Sequence, residues 1–302
     1  VSLIIGAWNY PYQLLLAPAI AAISAGCSAV LKPSEQASAS SALMAELINQ
    51  HFDPGLLRVI EGGISETTEL LTLPWNKIFF TGSSTVGKIV YQAAAKNLIP
   101  VTLELGGKSP LIIFPDADFD TAVGKAAGQF DDSGQICLAG TRLLIHSSIK
   151  EKFLSRFLEL TAKQKLGSSF DDETEITPMI HPDHLKNVAD FVDRARINGD
   201  KILCGGKILK DGELWYEPTL IEPFSNQSEV VQKEIFGPVL TLQTFNTESE
   251  AIELANSTKY GLSGMVYTKN NAIDQRVGRA IRAGTVWVHC FDIRELTAPF
   301  GG

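Results

Sequence analysis

Cysteine is scarce in this chain, and the four present (Cys27, Cys137, Cys204 and Cys290) lie far apart, with no C-x-x-C pair and no Cys/His cluster of zinc-site spacing. That excludes a disulfide-built scaffold and a structural zinc module. The cysteines read as thiols in a reducing compartment, and no metal is expected. Long apolar runs are missing as well: the most apolar stretches, Leu14–Ile23 and Leu111–Phe114, stop well short of the ~20 residues a membrane span needs. No leader peptide is evident, so a cytoplasmic protein is expected. Positive charge is in deficit, with 26 Lys and Arg against 34 Asp and Glu and a net charge of −8. Such a chain has no general attraction for phosphate backbones, and nucleic acid is not an expected partner. Compositional extremes are also absent, with 45% hydrophobic and 20% charged residues, 25 Gly and 14 Pro, which rules out disorder, collagen and coiled coil. At 302 residues the chain can bury one large core or two.

Up to about Glu104, short β-branched runs alternate with longer Ala-rich segments of helical period. The order is Leu3–Ala7, Leu14–Ala25, Ala29–Lys32, Ala37–His51 and Leu56–Ile60, then a helix from about Glu66. A strand over Lys77–Phe80, a helix over Val86–Lys96 and a strand over Val101–Leu105 follow. This βαβα order predicts a parallel sheet covered by helices on both faces, with its ligand site at the carboxyl ends of the strands. Gly106-Gly107-Lys108-Ser109-Pro110 punctuates the pattern and sets the expected boundary, 1–106 against 107–302. A second α/β unit follows. Its expected helices are Phe119–Phe130, Ile149–Gln164, Asp183–Asn198, Glu248–Asn256 and Ala272–Arg282, with strands over Arg142–His146, Val239–Phe245, Gly264–Tyr267 and Thr285–Val288.

Several segments carry residue types suited to chemistry. Thr81-Gly82-Ser83-Ser84-Thr85-Val86-Gly87-Lys88 joins a strand to a helix, an arrangement that offers backbone N–H groups to an anion. It satisfies most of an ATPase phosphate loop, but Ile89 stands where a hydroxyl would meet magnesium; Ser84 stands where the dinucleotide fingerprint needs glycine. A Gly-capped turn is the plain alternative. Glu104 ends an apolar strand beside Leu105, Gly106 and Gly107. Partial burial there would raise its pKa and suit a general base, while pairing with Lys108 or Lys88 is the structural alternative. Cys137 lies in the small-residue segment Ser133-Gly134-Gln135-Ile136-Cys137-Leu138-Ala139-Gly140. Cys27 and Cys204 read as packed thiols; Cys290, beside His289, is left open. Trp8-Asn9-Tyr10-Pro11 ends the first strand with an amide suited to an oxyanion or to a turn, and Lys32-Pro33-Ser34-Glu35 ends the second with a cation and a carboxylate. Glu234-Ile235-Phe236-Gly237-Pro238 sets a carboxylate and an aromatic before a turn.

In this order WNYP, KPSE, FTGSSTVGK, LELGGKSP, GQICLAG, EIFGPV and PFGG resemble the aldehyde dehydrogenase superfamily, and the likeness spans the chain. LELGGK followed about thirty residues later by GQxC is its most specific part. The resemblance implies two parallel-sheet α/β domains, a Rossmann-like NAD-binding domain over 1–106, incomplete at its start, and a catalytic domain over 107–302. It implies a truncated member without the segment that helps build the oligomer, the full-length protein being a homodimer or homotetramer. It further implies oxidation of an aldehyde to a carboxylic acid. Cys137 matches the nucleophile that forms a thiohemiacetal and then a thioester, Asn9 with the Cys137 N–H the oxyanion donors, and Glu104 the base that activates water. Lys32 and Glu35 fall at the adenosine ribose, Ser83 near the pyrophosphate, and Glu234 and Phe236 at the nicotinamide end. Trp8, Gly82, Gly87, Leu105 and Gly106 complete the cofactor set. Glu35 would repel a 2′-phosphate, so NAD is expected before NADP.

This sequence departs from its relatives at Asp131 and Asp132, where an aromatic and an Asn are common; anions there would weaken the Cys137 nucleophile unless paired or turned away. WNYPYQ and ETTELL look like the class acting on fatty and aromatic aldehydes, whereas the chain from GQICLAGTR onward looks nearer to semialdehyde enzymes. Arg294 resembles a residue before PFGG in muconic-semialdehyde dehydrogenases and is expected to read a substrate carboxylate, with a salt bridge to Glu295 or Asp292 as the alternative. Two rival functions are kept: a phosphate-loop ATPase and a catalytically inactive homologue.

Overall fold

The computed structural model of the protein describes residues 1–209, 213–293, 295 and 297–302. The chain folds into two compact units, Val1–Gly106 and Gly107–Gly302.

The first unit is built on five parallel strands in the order β3-β2-β1-β4-β5, namely β1 (Ser2–Ile5), β2 (Ala29–Lys32), β3 (Leu57–Val59), β4 (Lys77–Gly82) and β5 (Val101–Leu105). Its helices are α1 (Gln13–Ser24), α2 (Ser38–His51), α3 (Ile64–Leu70) and α4 (Ser84–Ala95). Successive residues of β1 explain why that strand is apolar throughout rather than alternating. Ile4 packs with Leu15 and Ala19 of α1 and Met44 and Ile48 of α2, while Leu3 and Ile5 pack with Leu70 of α3 and Val90 and Ala94 of α4. Both faces of the strand are covered, so both must be hydrophobic.

The second unit holds seven strands in the order β12-β11-β6-β7-β10-β9-β8. They are β6 (Pro110–Ile113), β7 (Arg142–His146), β8 (Lys201–Cys204), β9 (Thr219–Glu222), β10 (Val239–Phe245), β11 (Ser263–Tyr267) and β12 (Thr285–Val288). Only the β8–β9 pair is antiparallel among the described pairings. Helices α5 (Phe119–Ala127) and α6 (Lys150–Thr161) cover one face through Val123, Phe153 and Phe157, against Leu111, Ile113 and Leu143. Helices α9 (Glu248–Ala255) and α10 (Asn271–Ala280) cover the other through Ala251 and Val277, against Ile112 and Leu144. Helix α7 (Pro182–Ile197) and the short α8 (Glu229–Gln232) bury Val188, Val192 and Val230 against Ile221 and Val239. No helix among the described residues is long and apolar enough to cross a membrane.

Two expectations need correction, and three elements were not expected. Strands β8 and β9 and helix α8 carry no pattern that announces them, because each is only four residues long. The helix expected over Phe119–Phe130 stops at Ala127, and Asp132, Ser133 and Gly134 then take φ of 49°, 53° and 66°. Cys27 is exposed rather than packed: it lies in the turn that ends α1, where Gly26 has φ 79° and the Cys27 N–H bonds to Ala22 O at 2.9 Å. Apolar neighbours there belong to a helix terminus and not to core.

Candidate active site

In the first unit the candidate groups gather at the carboxyl ends of the strands. The sheet reverses its direction of growth at β1, which lies between β2 and β4, and such a switch point is where open α/β sheets take ligands. Trp8 and Asn9 lie in the bend after β1 and are half-buried. At the end of β2, Lys32 is buried, its Nζ donating to Pro33 O at 2.6 Å with Glu35 Oε2 at 3.9 Å. Burial pushes its ammonium below the usual lysine range, and Glu35 and Glu66 oppose this. An ammonium has three donors, so one bond to Pro33 leaves capacity for a hydroxyl. Ser34 accepts from the Gln36 N–H at 3.3 Å, the ordinary capping role, and Glu35 is exposed.

Ser83 caps α4, its Oγ accepting from the Val86 N–H at 3.3 Å and its carbonyl from the Gly87 N–H at 2.9 Å. A helix start has four such N–H groups, and this one therefore keeps anion-binding capacity. A Cβ on Gly82 would meet the Phe80 ring at 2.7 Å, and one on Gly87 would meet Leu105 Cδ2 at 2.6 Å. Both glycines let the turn sit tightly on β4 and β5. Glu104 is half-buried on β5, opposite Thr81, and burial pushes its carboxyl up. No ion pair joins it to Lys88 among the described residues.

In the second unit the groups gather at the opposite, amino ends of the strands. Lys108 and Ser109 lead into β6, Cys137 to Gly140 into β7, and Glu234 to Pro238 into β10. Cys137 is half-buried and packs on the core that includes Leu138 and Trp287. Its loop is held from several sides. The Gln135 amide donates to Asp132 O at 2.9 Å and accepts from the Ile180 N–H at 2.9 Å, while Ser133 Oγ donates to Thr177 O. The Gly140 N–H donates to Gln129 Oε1 at 2.6 Å. Gly107 crosses so near that a Cβ would stand 2.5 Å from Cys137 O, and a Cβ on Gly134 would stand 2.2 Å from Gly237 O. Bonds of this number fix the backbone in a left-handed path that costs on the order of 1–3 kcal/mol for each non-Gly residue.

The Gly237 turn carries Phe236, at φ 59°, whose carbonyl accepts from His184 Nε2 at 2.7 Å. Burial holds His184 below the usual imidazole range, against that bond, so it is neutral at pH 7 with the proton on Nε2. Glu234 Oε1 accepts the Gly107 N–H at 2.9 Å, and burial raises this carboxyl to about 6 despite Gly107 and Lys108. Arg142 is 1% exposed and donates to the carbonyls of Lys108, Leu254 and Ala255, each at 2.7 Å. Two of those acceptors end α9, where the helix dipole favours a cation. Asp131 and Asp132 are exposed residues. Partial burial of the Asp131 carboxyl, with Asp132 and Glu175 nearby, raises it to about 6 against Lys125. Cys204 is half-buried, its thiol pushed up by burial.

The aldehyde dehydrogenase family model matches residues 1–302. This chain belongs to the aldehyde dehydrogenase family. Its curated relatives include an aldehyde dehydrogenase of Enchytraeus buchholzi, 40% identical over 300 residues, covering 98% of this chain and 60% of the relative. The chloroplastic betaine aldehyde dehydrogenase of Beta vulgaris is also 40% identical, over 98% of this chain and 60% of its own. Among solved structures, betaine aldehyde dehydrogenase of Staphylococcus aureus in complex with NAD+ has a TM-score of 0.93 at 38% identity, over 99% of this chain and 61% of that one. An NAD-dependent aldehyde dehydrogenase from Sinorhizobium meliloti has a TM-score of 0.95 at 35% identity, over 100% and 61%. The chain thus spans about 60% of the length of the relatives it matches. Nothing in the family or in these relatives supports a phosphate-loop ATPase, and Ile89, at the would-be magnesium position, lies 56% exposed on α4.

Within each unit the structure brings the expected residues together: Trp8, Asn9, Lys32, Glu35, Ser83 and Glu104 at the carboxyl ends of the first sheet's strands, and Cys137, Glu234 and Phe236 at the amino ends of the second sheet's strands. Arg294 lies outside the described residues. Sequence reading missed Gln135, His184 and Arg142 as supports of the second site. Gln135 alone had a signal, standing next to the flagged Gly134 in the GQIC segment; His184 and Arg142 are recognised only by their distant partners.

Proposed function

We propose that this family member oxidises an aldehyde to a carboxylic acid with NAD as hydride acceptor. The observation that carries the reading is Cys137: a half-buried cysteine on a loop held by part-buried hydrogen bonds of Gln135, in a chain matched by the family model from end to end. The Cys137 thiolate adds to the aldehyde carbon, and the oxygen so charged takes hydrogen bonds from Asn9 and from the Cys137 N–H. NAD, when bound, supplies the two-electron acceptor that takes the carbon-bound hydrogen as hydride. The acyl group left on Cys137 is a thioester. Glu104 takes a proton from water, the hydroxide oxygen enters the acid, and the thiolate is released. A carboxyl raised by burial suits that base.

The first unit fits a dinucleotide. Gly82 and Gly87 form a cradle that a Cβ would fill, Ser83 heads a helix, and Lys32 with the exposed Glu35 offers a donor and an acceptor for ribose. Glu35 would repel a 2′-phosphate, which favours NAD over NADP. Glu234 and Phe236 take the nicotinamide end, and Trp8, Leu105 and Gly106 line the remainder. The relatives named betaine aldehyde dehydrogenase make a cationic aldehyde the first substrate to try, beside neutral and acidic ones for Arg294. A reducing compartment such as the cytoplasm belongs to this reading, because Cys137 must stay reduced. So does a homodimer or homotetramer of the full-length protein, since α4 exposes Val86, Ile89 and Tyr91.

Mass spectrometry after incubation with aldehyde and NAD tests the proposal. An acyl adduct on Cys137 that accumulates in Glu104→Gln is the expected result. Labelling of Cys290 in its place sinks the assignment, and no adduct at all favours a catalytically inactive homologue, the reading to which Asp131 and Asp132 point.

A further inference from the structure

Lys108 is 2% exposed, and among the described residues no acceptor lies within hydrogen-bond distance of its Nζ. An ammonium buried without a partner is costly, and such a group persists only where something offsets the charge or removes it. The nearby guanidinium of Arg142 makes the position worse, although its own donors are spent on three carbonyls. Beside Lys108 lies a cavity of about 10 Å³, lined also by Tyr260, Leu262, Ser263 and Ala255, room for one water molecule. Tyr260 in turn accepts the Glu234 N–H at 3.3 Å, and the residue preceding Lys108 donates its N–H to Glu234 Oε1 at 2.9 Å. Glu234 is therefore held by Gly107, the chain neighbour of the lysine, and by Tyr260, which lines the lysine's cavity.

We propose that Lys108 is a positioning residue that sets the charge of Glu234, whose carboxylate is held by the N–H of the adjoining Gly107 and whose own N–H is held by the Tyr260 that lines the lysine's cavity. The groups that bear on this carboxylate are the Gly107 N–H and Lys108; Arg142 acts on Lys108, and Lys233 on Tyr260, whose hydroxyl accepts the Glu234 N–H. Burial brings Lys108 down to about 7, with Arg142 pushing the same way and Glu234 opposing, while Glu234 itself stands at about 6. Both are charged only between those values; below them Glu234 is protonated, and above them Lys108 is neutral. The consequence for cofactor affinity rests on the role proposed above for Glu234, whereas the charge coupling does not.

The test titrates the free protein. With glutamate carboxyls labelled in carbon-13 and Glu234 assigned by its loss in E234Q, the Glu234 midpoint is expected to rise by about one pH unit in K108M and in K108Q. In E234Q the Lys108 midpoint, read from labelled lysine side chains, is expected to fall. Calorimetric NAD affinity in K108M should then lose its acid limb at correspondingly higher pH. An unmoved Glu234 midpoint in folded K108M or K108Q overturns the proposal; if neither variant folds, an unmoved Lys108 midpoint in E234Q overturns it. Should the midpoints move while E234Q binds NAD as the wild type does, the coupling stands and the cofactor role of Glu234 falls.

Discussion

Replacing Gly134 by alanine isolates the physical demand that the Cys137 loop makes on its sequence. The residue has φ 66°, and an added Cβ would stand 2.2 Å from Gly237 O, 2.7 Å from Gly237 C and 3.1 Å from Pro238 N. All three are backbone atoms that cannot rotate away. The left-handed conformation alone costs an L-residue roughly 1–2 kcal/mol, and overpacking a tight site adds about 1–3 kcal/mol. A total of about 2–5 kcal/mol is expected, which for a unit of this size lowers Tm by about 5–15 °C. Gly124→Ala supplies the control. That glycine lies inside α5 with nothing within 4 Å of its would-be Cβ, so alanine should stabilise by about 0.5–1 kcal/mol. Thermal unfolding of the two variants beside the wild type measures the contrast, and the rate of iodoacetamide labelling at Cys137 reports whether the loop has moved. If Gly134→Ala unfolds within a degree or two of the wild type, the close approach to Gly237 is not a constraint and the account of a rigid thiol loop fails.

Arg142→Met should destabilise the fold by about 3–5 kcal/mol, because the carbonyls of Lys108, Leu254 and Ala255 lose their buried donor at about 1–3 kcal/mol each, partly recovered by relaxation; a loss under 1 kcal/mol in urea denaturation would contradict this. Asp131→Asn should alter stability with a defined sign. The folded carboxyl is raised to about 6 from 3.8, so in the wild type the folded state is penalised as pH rises through that window and unpenalised below it. The asparagine variant should therefore match the wild type near pH 3.5 and melt higher above pH 6, and a pH-independent difference would refute the cause. Gly107→Ala should slow acyl-adduct formation on Cys137 while leaving the first unit's melting unchanged, since its Cβ would meet Cys137 O at 2.5 Å.

Much of the architecture was legible because it rests on short-range rules. The βα alternation and the apolar strands β1 and β10 follow from residues within one turn or one strand of each other. The strands β8 and β9 were not legible, being four residues long and set apart by a connection without regular pattern. The helix expected to run to Phe130 stops at Ala127, and the three left-handed residues Asp132 to Gly134 leave no periodic trace. For the site, the sequence named Cys137, Glu104, Lys32 and Glu234 by motif, but it did not name the groups that hold them.

What the sequence by itself determined is the class of fold and the family, and it offered Cys137, Glu104 and Lys32 as candidate nucleophile, base and ribose ligand, because those readings depend on residue type and local spacing. The tertiary structure alone decided that β7 lies beside β10 rather than β8, that the second unit gathers its candidate groups at the amino ends of its strands, and that Lys108 is shut in with Tyr260 next to Glu234. Glu234 Oε1 meets the Gly107 N–H across 127 positions of chain. Contacts at such separation, and the desolvation that moves a lysine to about 7, arise only when packing removes water from groups that local sequence leaves indifferent.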